Sequence, residues 1–204
     1  MSLHVFIDES RRGNLYLLAA ALVMPADLGP TRALMRSLRV PGERKVHLHQ
    51  ERGAVKKEIA AALVTAGVRA RVYVGHGPPD ATRARLLRAA VTDLVAISVR
   101  RLVLDSRGQD RDQLDRRVIR SALTAGAADP GLMTYEHLRS HEDPALWVAD
   151  VVAWCHGAGG EWRRRIGPVV ERVIDLDEKA RSPGARRPAR SCPGPLPRPS
   201  GLGC

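Results

Sequence analysis

The stretch HVFIDESRRGNLYLLAAALV (residues 4–23) contains two apolar segments separated by a short polar one. The first segment ends in Asp8 and Glu9, and the second is almost continuously hydrophobic. Gly13 and Asn14 stand between them, and both residue types tolerate the positive φ that a tight turn requires. The pattern predicts an antiparallel hairpin with strands at residues 3–8 and 15–23.

Beyond this hairpin, predicted strands alternate with predicted helices. Helices are expected near residues 27–38, 51–65, 81–98, 110–124, 143–154 and 161–166, with a turn at 129–131. Strands are expected near 45–48, 68–74, 101–105 and 132–139. The helix near 143 should begin with Asp143 as its N-cap and Pro144 in its first turn. An initial hairpin followed by such alternation predicts an α/β fold with a mixed sheet.

Composition divides the chain into a body and a tail. The 204 residues are 44% hydrophobic, which is enough for one main domain, and we assign it to residues 1–178. Residues 179–204 are rich in Pro, Gly and Arg, and we expect a disordered tail there. No apolar run approaches the roughly 18 residues of a membrane span, so we expect a cytoplasmic protein without a membrane partner.

Cysteine spacing and charge narrow the possible functions. The three cysteines show no Cys-x-x-Cys spacing, which argues against a zinc finger and a disulfide framework. The formal net charge is +11, and the tail supplies six basic residues and no acidic one. Such a balance favours nucleic acid as a partner, either DNA or RNA. Codon bias in a GC-rich genome is an alternative source of the arginines.

Three aspartates follow or interrupt apolar segments. Asp8 ends the first strand, Asp105 ends the strand near 101–105, and Asp150 lies within the hydrophobic helix between Trp147 and Trp154. Two parallel strands would bring Asp8 and Asp105 to the same carboxyl edge of the sheet. A carboxylate among apolar helix residues needs a compensating partner. The three residues therefore predict a catalytic acidic cluster that binds Mg²⁺ or Mn²⁺.

Each aspartate also has a simpler interpretation. Asp8 could open a turn together with Ser10, and Asp105 could be an ordinary loop residue before Ser106. Asp150 could be paired with an arginine.

Further ligands are possible at two places. His47, His49 and Glu51 would share one face of an extended segment and could bind zinc or join the site, although such residues also cap helices. Glu136 could supply an additional ligand or lie on a solvated edge strand. Glu9 is also a catalytic candidate, although it should point to the sheet face opposite Asp8.

Several arginines are candidates for contacts with phosphate. Arg11 and Arg12 follow the first strand, and Arg107 and Arg111 follow Asp105. The arginines after Asp105 could instead form a solvated helix face in which Asp110, Asp112 and Asp115 are their partners.

Three short motifs resemble, in order and spacing, a family of uncharacterised proteins known as domain-of-unknown-function family 3800. They are FIDES at residues 6–10, VLDS at 103–106 and WVADVVAW at 147–154. The resemblance covers about residues 3–176. Arg11 stands where the family usually has Gly, and Trp147 stands where Gln is common.

The resemblance implies a ribonuclease H-like fold: a five-stranded mixed sheet, its first three strands antiparallel, flanked by helices. It also implies acidic residues on the first strand, a later parallel strand and the last helix, which match Asp8, Asp105 and Asp150. The resulting hypothesis is a divalent-metal-dependent nuclease that hydrolyses phosphodiesters. The alternatives are a catalytically inactive nucleic-acid-binding or scaffolding protein and a zinc-dependent hydrolase centred on His47 and His49.

Overall fold

A six-stranded sheet forms the centre of the computed structural model, which describes residues 2–126 and 133–178. Its strands are β1 (Leu3–Arg12), β2 (Leu15–Val23), β3 (Arg69–His76), β4 (Val99–Asp105), β5 (Thr134–Leu138) and β6 (Val170–Asp175). They lie in the order β5-β4-β1-β2-β3-β6.

The strand directions make the sheet mixed. Strands β1, β2 and β3 are successively antiparallel, whereas β4 runs parallel to β1 and β5 parallel to β4. Strand β6 runs parallel to β3. Five strands therefore share one direction, and β2 alone among the described strands opposes them. This is the predicted ribonuclease H-like arrangement, except that the five strands we expected are extended by β6.

Helices cover both faces of the sheet. They are α1 (Leu28–Ser37), α2 (Gly53–Thr65), α3 (Pro79–Ala96), α4 (Gln109–Ala125), α5 (Ala145–Ala158) and α6 (Gly160–Ile166). Helix α5 packs on one face in a core that includes Phe6 and Leu17, and α1, α2 and α6 contribute to the same core. Helices α3 and α4 cover the other face, where Ile7 and Leu18 are buried. The alternation along β1 and β2 thus divides their side chains between two cores.

The hairpin has the predicted turn but a longer first strand. Pairing extends from His4 opposite Val23 to Arg12 opposite Leu15, so β1 continues four residues past Asp8. Gly13 occupies the turn with a φ of 57°, a conformation in which a Cβ would be strained.

Helix α5 begins close to its predicted position. The Ala145 backbone N–H donates to the Asp143 carboxylate at 3.0 Å, and Arg32 binds the same carboxylate with its Nε at 2.9 Å. The N-cap residue is therefore Pro144 rather than the predicted Asp143, but the Asp143 carboxylate still binds the first residue of the helix and joins the helix to α1.

The strand predicted at 45–48 is wrong. Val46 and Leu48 alternate because both side chains enter the core, but the backbone forms turns there, with the Gln50 N–H donating to the His47 carbonyl. The following helix begins at Gly53 rather than near residue 51.

The turn predicted at 129–131 and the tail predicted at 179–204 lie outside the described residues. Within residues 2–126 and 133–178, no helix has both the length and the apolar character needed to cross a membrane.

Candidate functional site

Strand register places two of the predicted aspartates side by side. Ile7 pairs with Leu104 in the parallel β1–β4 ladder, so Asp8 and Asp105 come next at the carboxyl edge of the sheet. The side chains of Asp8 and Asp105 lie on the same sheet face as those of Phe6 and Val103, which is the face covered by α5.

Helix α5 brings Asp150 to the same region. Burial raises the pKa of Asp8 well above its ordinary value, and the negative charges of Asp150 and Asp105 raise it further. Burial likewise raises the pKa of Asp150 to about 6, with Lys45 opposing this shift and Asp105 adding to it. The three carboxylates are therefore close enough to repel one another.

Few donors compensate these charges. The Glu9 backbone N–H donates to the Asp8 carboxylate at 2.7 Å, and the Ser140 hydroxyl lies 2.7 Å from both Asp105 oxygens. No group in the described part of the chain donates a hydrogen bond to Asp150. The arginine partner considered for Asp150 is absent there, and the nearby cation is Lys45.

The donor chemistry of this acidic cluster, Asp8, Asp105 and Asp150, suits a hard divalent cation. Carboxylate oxygens are the ligands that Mg²⁺ and Mn²⁺ prefer, and a cation would relieve the mutual repulsion of the three acids. The distances between these side chains suit a metal ion less well than their chemistry does. Across residues 2–126 and 133–178, no three His, Cys, Asp or Glu side chains converge closely enough to hold a metal ion.

Glu9 lies on the opposite face of the sheet, as its strand position predicts. Its carboxylate contacts Arg83 at 2.5 Å, and Arg83 in turn contacts Asp115 at 2.7 Å. The Arg107 Nε lies 3.7 Å from Glu9. Glu9 and Arg107 therefore belong to a buried ion-pair network, and neither side chain joins the acidic cluster or a free phosphate-binding surface.

Sequence reasoning missed the importance of this network. Arg83 is 2% exposed and Asp115 is 3% exposed. Burial alone would raise the pKa of Asp115, but hydrogen bonds from His137 and Arg83 outweigh it and lower the pKa to about 2. The charged sequence around Asp115 predicts a solvated helix face. One sign against this prediction is that Asp112 and Asp115 are three residues apart and so share one face of α4, where both are buried.

The possible additional ligands neither form a zinc-binding group nor join the acidic cluster. They are His47, His49, Glu51 and Glu136. His49 is exposed in the turn before α2, while His47 is half-buried and lines a separate cavity. Glu51 belongs to the same turn region. Glu136 shares the sheet face of the cluster, but its carboxylate is bound by Arg101 at 2.6 Å.

Two cations and an aromatic ring lie at the end of the hairpin. The Arg12 guanidinium is 5.4 Å from the centre of the Trp154 ring, and Lys56 Nζ is 4.5 Å from it. Arg11 lies 5.9 Å from the Tyr16 ring. Trp154 follows Asp150 by one helical turn, so Arg12 and Lys56 lie on the same side of the sheet as the cluster.

Arg111 is exposed on α4 and so lies on the face of the sheet opposite the cluster. This position is unsuited to a phosphate contact beside Asp8.

A polar cavity of about 290 Å³ adjoins the cluster on the β4–β5 side. It is lined by Arg44, Lys45, His47, Ser106, Arg139, Ser140 and His141. Trp147 reaches the same region, because its indole Nε1 donates to the Ser140 carbonyl at 2.5 Å.

Comparison with known proteins provides a distant structural likeness. No family model and no curated protein matches the sequence. A mutant of Bst-RNase HIII matches 77% of this chain with 17% identity and a TM-score of 0.49, and Bst-RNase HIII in complex with Mn²⁺ matches the same share with 17% identity and a TM-score of 0.45. The chain covers 55% of each of these two structures, or about half their length.

RNase HII from Archaeoglobus fulgidus, in its complex with PCNA, is similar over 74% of this chain and 69% of its own, with 15% identity and a TM-score of 0.46. Likenesses of this size carry no information about the chemistry of the chain.

Proposed function

We propose that this chain is a divalent-metal-dependent nuclease in which Asp8, Asp105 and Asp150 bind Mg²⁺ or Mn²⁺. One observation carries the proposal: three carboxylates from two strands and a helix lie near one another at one sheet edge, where burial and mutual repulsion raise the pKa of Asp8 and Asp150. An arrangement that disfavours its own charges is costly without a cation. By contrast, the buried acids Asp115 and Asp143 are each paired with an arginine.

The residues around the cluster suit a polyanionic substrate. A bound divalent ion would lower the pKa of water and stabilise the leaving oxygen of a phosphodiester. Arg12 and Lys56 would bind phosphates on the hairpin side, where they lie on the Trp154 ring. Lys45 would offset negative charge beside Asp150. The substrate class is nucleic acid, DNA or RNA.

A second function is supported by a separate observation. The three carboxylates do not converge at metal-ligand distances in the described part of the chain. A catalytically inactive protein that binds nucleic acid through its basic side chains would need no such convergence. Metal dependence distinguishes the two functions.

The decisive experiment measures cleavage of single-stranded, duplex and DNA–RNA hybrid substrates with Mg²⁺, with Mn²⁺ and with a chelator. We expect the wild-type protein to cleave only with metal, and Asp8→Asn, Asp105→Asn and Asp150→Asn to lose at least 100-fold in rate, since each removes a ligand charge.

The matched control is Glu58→Gln, which removes one negative charge from an exposed position on α2. Its rate should equal that of the wild type. Cleavage by the three aspartate variants at the wild-type rate would refute the acidic cluster as the site of cleavage, whereas metal-independent binding without cleavage in any protein would support the inactive binder.

A further inference from the structure

The polar cavity beside the cluster combines basic side chains with two hydroxyl groups. Three of its lining residues carry permanent positive charge, namely Arg44, Lys45 and Arg139, and no carboxylate lines it. His47 and His141 add imidazole groups to the same wall. The cavity therefore presents hydrogen-bond donors and positive charge to whatever enters it.

The three basic side chains of the cavity are not held in ion pairs within the described part of the chain. In the described residues, Arg44, Lys45 and Arg139 form no ion pair, although Arg32, Arg83 and others are matched with carboxylates. Grouped cations repel one another, and an anionic ligand would relieve that repulsion. Such a site differs from the structural ion pairs on the rest of the surface.

The wall that carries Arg139 is held in place by its own hydrogen bonds. The buried Trp147 indole fixes the Ser140 carbonyl, and the Arg139 N–H donates to the Glu142 carboxylate at 2.5 Å. The Ser140 hydroxyl is bound to Asp105. These bonds fix the backbone that carries Arg139 at the cavity, while the side chain of this exposed residue remains available to a ligand.

The same bonds connect the cavity to the acidic cluster. Ser140 lines the cavity and contacts Asp105, while Lys45 lines it and acts on Asp150. A ligand in the cavity would lie next to the three carboxylates. A nucleic acid chain that crosses the cluster would bring the phosphates next to the reacting one to this cavity.

We propose that this cavity binds a phosphate group of the nucleic acid chain next to the acidic cluster and so fixes the position of the backbone at the site. The inference rests on the proposed function, because it takes the substrate to be nucleic acid. Arg44, Lys45 and Arg139 supply the charge and the hydrogen bonds. The ligand is either an internal phosphate or the phosphate at a chain end.

The test is direct binding of a labelled single-stranded oligonucleotide, with a chelator present to prevent cleavage, over a series of salt concentrations. Arg139→Gln should weaken binding about 5- to 10-fold and lower the slope of log affinity against log salt by about one, as the loss of one phosphate contact requires. Arg44→Gln should act in the same direction and provides a second variant should Arg139→Gln misfold.

Arg88→Gln is the matched control, because Arg88 is exposed on α3 at the other face of the sheet. An oligonucleotide with a 5′-phosphate is compared with one that ends in a 5′-hydroxyl. Equal losses for both probes would support an internal phosphate, and a loss limited to the phosphorylated probe would support a terminal one.

The proposal is overturned if Arg139→Gln and Arg44→Gln fold and bind both probes with the affinity and salt slope of Arg88→Gln. This outcome leaves cleavage by the acidic cluster intact. Conversely, unchanged cleavage in Asp8→Asn, Asp105→Asn and Asp150→Asn together with weakened binding in Arg139→Gln would refute the acidic cluster as the site of cleavage and retain the phosphate site.

Discussion

Replacing Asp150 by Asn should make the metal-free protein more stable at neutral pH. The carboxyl pKa rises from an ordinary 3.8 to about 6 in the fold, and this difference corresponds to about 3 kcal/mol of unfavourable free energy for the charged form. Because Asp150 retains partial solvent exposure, screening reduces the expected gain to about 1–2 kcal/mol. Asn keeps the shape of Asp and removes the charge.

The effect should depend on pH with a defined sign. Below pH 3.8, Asp150 is protonated in both the folded and the unfolded chain, so its raised pKa costs nothing. As the pH rises towards 6, the unfolded chain loses its proton first and the folded state is progressively destabilised. Above pH 6 the destabilisation is fully present. Asp150→Asn should therefore exceed the wild type in stability at pH 7 and approach it in acid.

Urea denaturation with a chelator, at pH 7 and near pH 4, measures this difference. Glu58→Gln serves as the control for a simple loss of negative charge. Adding Mn²⁺ should stabilise the wild type and leave Asp150→Asn nearly unchanged, because the variant has lost a ligand. An Asp150→Asn protein that is less stable than the wild type at both pH values would show that the carboxylate is favourably paired in the fold and would refute the predicted gain.

Two further changes probe the surroundings of the cluster. Asp115→Asn should destabilise the fold by about 3 kcal/mol, because it leaves the buried Arg83 without one of its charged partners. The pKa of Asp115 is lowered to about 2. Urea denaturation should therefore show this stabilising contribution intact above pH 3.8 and lost as the pH falls through 2. Trp147→Phe should cost about 1 kcal/mol by removing the hydrogen bond to the Ser140 carbonyl, and it should also weaken oligonucleotide binding; a stability loss with unchanged binding would separate the indole from the phosphate cavity.

The hairpin and the buried strands could be predicted because their patterns reflect burial directly. The apolar run of β2 gave its bounds, Leu15–Val23, and the strand ending in Asp105 was expected near its true position. Parallel pairing of β1 and β4 then follows from the ribonuclease H-like arrangement. The adjacency of Asp8 and Asp105 thus depended on topology, which the resemblance implied and strand patterns alone did not.

Strand β6 could not be recognised because its side chains are largely exposed. Val173 is 48% exposed, and Glu171 and Arg172 form ion pairs with residues of neighbouring elements. An edge strand of this kind is held by backbone pairing and by charges, which leave little hydrophobic periodicity. The false strand at 45–48 shows the converse, since Val46 and Leu48 are buried by a looped backbone.

The buried network of Arg83 and Asp115 shows a different limit. A sequence with many charges predicts solvated ion pairs. The sequence does not reveal that α3 and α4 bring Arg83 and Asp115 together and bury them against Glu9. The function of Lys45 was missed for a similar reason, because its nearness to Asp150 arises only when the loop before α2 reaches α5.

The sixth strand determines where a label or fusion partner can be attached. Strand β6 ends at the same edge of the sheet as β1, three strands away, which is roughly 14 Å at the usual spacing between strands. The described chain ends at Glu178 just beyond this edge. A fluorophore at the end of β6 would therefore report on nucleic acid at the cluster by energy transfer, whereas an affinity tag before Leu3 would lie at the far edge and leave the approach to the site open.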